Sequence, residues 1–70
     1  MEMRCKGFTV KQYKDNTFAV KYNDGSQEWK SFGRMSFTEA GDWIWNMANN
    51  HDISTEVCHK MCEKWNRSFA

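Results

Sequence analysis

Residues 18–32 read FAVKYNDGSQEWKSF, and their pattern decides the fold class of this chain. Phe18, Val20 and Tyr22 alternate with Ala19 and Lys21, Asp24-Gly25 interrupts, and a second alternation runs through Trp29. A period of two marks a strand with one buried face. Asp-Gly between two such runs is a hairpin signal, because a type I′ turn needs positive φ at both central residues. A two-residue turn at Asp24-Gly25 predicts the pairs Tyr22–Gln27, Val20–Trp29 and Phe18–Ser31. Phe18, Val20, Tyr22 and Trp29 then share one face; Ala19, Lys21, Glu28 and Lys30 share the other.

Upstream, GFTVKQY (residues 7–13) predicts an earlier strand, joined through Lys14-Asp15-Asn16. Asn tolerates the left-handed conformation that the third position of such a loop requires. This loop pairs Gln12 with Phe18, Val10 with Val20 and Phe8 with Tyr22. It puts Phe8 and Val10 on the apolar face, where a two-residue turn would put them on the wet one. Downstream, Ser36-Phe37-Thr38-Glu39 has the spacing of a helix capping box. Phe37, Ala40, Gly41, Ile44, Met47 and Ala48 follow as one helical stripe, and Asn49-Asn50 end it. A second helix starts near Ser54, with Ile53 stapled onto Cys58 and a stripe of Val57, Cys58, Met61, Cys62 and Trp65. Residues 66–70 are expected to fray. The predicted architecture is α+β: a three-stranded antiparallel meander followed by two helices (β-β-β-α-α). The first helix packs on the apolar sheet face, in a single domain over 1–70.

Bulk properties agree. Seventy residues make one small domain, and aromatic residues at 16% supply the large apolar area such a core needs. Three cysteines, an odd number, fit poorly with a disulfide framework. MEMRCKGF lacks the apolar run of a secretion signal, and no stretch reaches the roughly 18 apolar residues of a membrane span. The expected setting is cytoplasmic, with no membrane partner and no cofactor. Net charge is +1, but residues 1–34 carry +3 and residues 35–70 carry −2.

The outer sheet face is the first candidate site. The expected register puts Thr9, Lys21 and Glu28 in one row and Lys11, Ala19 and Lys30 in the next, with Tyr13 near Phe32. Lysines on a twisted sheet can neutralise phosphates and release counterions. The plainer alternative is a solvated face whose lysines discourage edge aggregation, with Glu28 among them. FAVKYNDGSQEWKSFGRMSFTEAGDWI resembles the sheet-plus-helix DNA-binding modules of phage integrase arm-binding domains and the related AP2-type domains. The shared features are a strand ending in Asp24-Gly25, a W-K-S-F-G strand end, and an F-T-E-A helix start. The resemblance covers about residues 8–48. It implies DNA contact through Lys11, Lys21, Lys30 and Arg34, to which the reading of the sheet face adds Tyr13.

Trp43 and Trp45 are the second candidate, for a protein partner. At about 100° per residue they lie about 160° apart on the helix, so at least one is expected at the surface, where Trp is enriched in binding hot spots. Cys58 and Cys62 share a helical face, but two thiols fall short of the four ligands zinc takes, so no metal is expected. His59 adjoins Cys58 in sequence and faces elsewhere on a helix, and no recognised catalytic spacing occurs. Two function classes follow. The first is a non-catalytic regulator or inhibitor of the kind phages and mobile elements use, occluding a host protein or ribonucleoprotein, as in anti-defence. The second binds DNA through the lysine face. An edge strand or an exposed Trp would also support a homodimer.

Overall fold

The computed structural model describes residues 1–31 and 33–69. Four strands come first: β1 (Glu2–Cys5), β2 (Phe8–Gln12), β3 (Phe18–Asn23) and β4 (Glu28–Lys30). Two helices follow: α1 (Phe37–Asn50) and α2 (Thr55–Phe69). The strands form one antiparallel sheet in the order β1-β2-β3-β4. The expected three strands are therefore four. The addition, β1, carries its own alternation: Met3 is buried, while Glu2 and Arg4 are exposed. It enters β2 through Lys6-Gly7, where φ is +52° and +92°. Two successive positive φ values are what a type I′ turn demands. A Cβ on Gly7 would meet the Asn23 carbonyl at 2.8 Å, so this corner is closed to any larger residue.

The β2–β3 pairing is the expected one, with Val10 opposite Val20 and Gln12 opposite Phe18. Asn16 closes the loop with φ +62°. The β3–β4 register differs from expectation. Tyr22 pairs with Trp29 and Lys21 with Lys30, so the connection holds four residues, 24–27, instead of two. The Asp24 carboxylate accepts hydrogen bonds from the Ser26 amide (2.9 Å), the Ser26 hydroxyl (2.9 Å) and the Gln27 amide (2.8 Å). Asn23 Oδ1 accepts from the Gly25 amide at 2.7 Å. These side-chain caps stabilise a wider loop than Asp-Gly alone would choose. The slip is two residues, an even number, so every side chain keeps its face.

Ser36 and Glu39 form the reciprocal capping box at the start of α1. Ala40, Ile44 and Met47 of α1 and Cys58, Met61 and Trp65 of α2 are buried against Phe8, Val10, Phe18, Val20 and Tyr22. Both helices thus cover one sheet face and leave the other open. The helical end of the chain is longer than expected: α2 continues through Phe69, with Ala70 outside the described residues. The reason is aromatic. The Phe69 ring lies 4.7 Å from Trp65 and 5.4 Å from Phe18, and Trp65 stacks on Phe37 at 4.8 Å. Lys64 reaches from α2 to donate to the Arg4 carbonyl at 3.0 Å. Met1 and Gln12 exchange backbone hydrogen bonds, so by antiparallel alternation the Glu2 and Arg4 backbone groups point out of the sheet edge. Lys64 covers one of them. No helix among the described residues is long and apolar enough to cross a membrane.

Candidate functional site

The open sheet face takes its outward residues from alternate positions on each strand. With the observed register, Arg4, Thr9, Lys21 and Lys30 form one row across all four strands. Glu2, Lys11 and Ala19 form the next row. Lys30 therefore stands beside Lys21, where Glu28 was expected, and Glu28 moves out to pair with Asn23. Between the rows lies a depression of about 290 Å³, lined by the short Thr9 and Ala19, by Arg4, Lys11, Lys21 and Lys30, and by Glu2. The short side chains in its lining let a ligand approach the sheet closely.

Two carboxylates temper this cluster. Glu2 lies 3.2 Å from Arg4, and Glu28 lies 3.3 Å from Lys30. The Lys30 ammonium, with help from Asn23 and Lys21, holds the Glu28 carboxyl below its ordinary pKa, so Glu28 is charged at neutral pH. Lys11 and Lys21 form no salt bridge among the described residues. They are the cations most available to an incoming anion.

Tyr13 extends the outward series Thr9, Lys11 along the same strand direction. The Arg34 guanidinium sits 4.0 Å from the Tyr13 ring centroid, and the Lys11 ammonium sits 5.2 Å from it. Arg34 also reaches Asp15 Oδ2 at 3.4 Å. Hydrogen bonds from the Thr17 hydroxyl and amide hold the Asp15 carboxyl below its ordinary pKa, with Arg34 adding to them. The five residues named from the lysine-face expectation thus lie on one surface. Arg4 joins them as a residue the expectation missed. Its signal was the short alternation Glu2-Met3-Arg4-Cys5 before Lys6-Gly7. Phe32, expected near Tyr13, lies outside the described residues.

The two tryptophans separate as the helical geometry requires. Trp43 packs against the core and is half-buried, whereas Trp45 is 41% exposed. Cys58 is buried, Cys62 is half-buried, and burial pushes both thiols up from their ordinary pKa, away from the thiolate a metal needs. Among the described residues no group of three or more His, Cys, Asp or Glu is placed to hold a metal. His59 contacts Glu63 at 2.8 Å on the outer side of α2.

No family model, curated protein or solved structure matches the chain.

Proposed function

We propose that this is a small non-catalytic binding protein whose working surface is the open sheet face and whose partner presents phosphates. Nucleic acid, free or carried in a ribonucleoprotein, is that partner. One observation carries the reading: Arg4, Lys21 and Lys30 stand in a single row beside Lys11, around a depression with small residues in its lining. Four of the five acidic residues of the second half, Glu39, Asp42, Glu56 and Glu63, lie on the helices on the opposite side, together with Lys60, Lys64 and Arg67. A polyanion would therefore be drawn to the sheet face in preference to the near-neutral helical side, which orients the encounter. By covering phosphates, such a protein would occlude the surface for other factors, as the small regulators of phages and mobile elements do.

Binding to a mixed-sequence oligonucleotide across a salt series tests this. Four phosphate contacts give a slope of log affinity on log salt of about −2.8 for a single strand and about −3.6 for a duplex. Changing Lys11, Lys21 and Lys30 together to Glu should abolish binding. A flat salt dependence would overturn the proposal.

The exposed Trp45 favours a second reading, in which α1 docks on a host protein. There Trp45→Ala would remove binding to a nuclease-treated partner, and the lysine changes would leave it intact.

A further inference from the structure

We infer that the nucleic acid taken by this face is single-stranded, lying across the sheet with an unpaired base stacked on the Arg34 guanidinium. The inference rests on the phosphate-binding reading above and adds the strandedness of the partner.

The first argument is one of width. Neighbouring strands lie about 4.8 Å apart, so four strands span about 14 Å between the outer axes, before any side chains are added. The major groove of B-form DNA is about 12 Å wide. Three strands, at about 10 Å, could enter it flat, but four cannot. The row of cations starts on β1 with Arg4 and ends on β4 with Lys30, so it uses the whole width. A duplex could reach only part of that row. A single strand has no groove walls and can follow the row from edge to edge.

The second argument is the platform beside the row. Tyr13 faces outward, and the Arg34 guanidinium lies over its ring at 4.0 Å. Asp15 Oδ2 lies 3.4 Å from Arg34 Nη1, while the Arg34 side chain remains 54% exposed. A planar cation pinned on an aromatic ring offers its outer surface to a third planar group. Unpaired bases stack on arginine planes and aromatic rings in this way, whereas a base inside a duplex already has neighbours on both faces. Lys11, over the same ring at 5.2 Å, sits between the platform and the depression and can hold the phosphate that joins them.

The test uses the full chain with a fluorescently labelled oligothymidine of about 15 nucleotides, within the usual site size for such surfaces. A blunt duplex of the same length serves as comparison, with both followed by anisotropy at low salt. The single strand should bind at least about tenfold more tightly than the duplex. Arg34→Ala and Arg34→Lys should each weaken single-strand binding by about fivefold or more, the size of one lost stack. The second variant keeps the charge and removes only the plane. Arg34→Lys should change duplex binding by less than twofold. Equal or tighter duplex binding would overturn the inference and leave the phosphate reading standing. Full affinity in Arg34→Lys would overturn the stacking platform. If neither oligonucleotide binds at low salt, both the inference and the reading it rests on fail.

Discussion

At Gly41 the two helices come close enough that the side chain missing from α1 matters to α2. A Cβ built there would lie 3.4 Å from Trp65 Nε1 and 3.7 Å from Trp65 Cδ1, ordinary contact distances. Trp65 Nε1 is itself buried with no hydrogen-bond partner among the described residues, a cost the surrounding ring contacts must offset. Gly41→Ala should raise stability by about 0.5–1 kcal/mol, because alanine is the better helix former and the space admits it. Its urea midpoint, compared with that of the parent chain, is the check. Trp65→Ala should cost about 3–5 kcal/mol, the range for deleting a buried aromatic side chain. That is a large share of the about 4–10 kcal/mol expected for 70 residues, so the variant's thermal midpoint by circular dichroism should fall by roughly 12 °C or more. Burial of Trp65 was legible from its place in the α2 stripe. The contacts of Phe69 were not, because a polar run, Asn66-Arg67-Ser68, hides a ring that only tertiary packing recruits.

Among the elements, the two helices and the β2–β3 hairpin could be read directly, since each joins a clear periodicity to a specific loop or cap signal. β1 could not. It is only four residues long, with a single buried side chain, Met3, and its worth emerges only when β2 supplies the partner. Gly7→Ala should therefore destabilise the protein by more than about 1 kcal/mol, with φ +92° and the Asn23 carbonyl both against it. The loss should appear as earlier amide exchange in β1 and β2. The β3–β4 register escaped the sequence for a different reason: Asp24 has three donors to satisfy, and satisfying them widens the loop. The α1 cap makes a prediction about acid. Hydrogen bonding from Ser36 holds the Glu39 carboxyl below its ordinary pKa of 4.5. Its stabilising effect is complete above that ordinary value and lost as pH falls through the lowered one. Denaturant midpoints measured from about pH 6 down to about pH 3 should fall for the parent chain. Ser36→Ala, which keeps the backbone amide that bonds the Glu39 carboxylate, should start about 1 kcal/mol lower, whereas Glu39→Gln, with no carboxyl to protonate, should lose less stability to acid.

Over the whole molecule, the charge asymmetry between the two halves of the chain gathers Arg4, Lys11, Lys21 and Lys30 on the open sheet face and leaves the helices with a near balance of carboxylates and cations. The faces of the lysines were legible, because parity along a strand survives a two-residue slip. Their grouping was not, since it depends on the β3–β4 register and on Arg4 from the unseen strand. Arg4→Glu combined with Lys21→Glu should therefore weaken oligonucleotide binding beyond the effect of Lys21→Glu alone, read from the same salt series. The position of Lys64 bears on whether two copies can pair through β1. Two β1 strands set antiparallel about Met3 would bring Glu2 of each copy opposite Arg4 of the other, a self-matching pair of charges on a matching backbone edge. The Lys64 ammonium on the Arg4 carbonyl stands in the way of that match. Lys64→Ala should accordingly sediment as a mixture whose average mass grows with protein concentration. One flexible amine thereby helps set the dose at which the chain begins to meet itself.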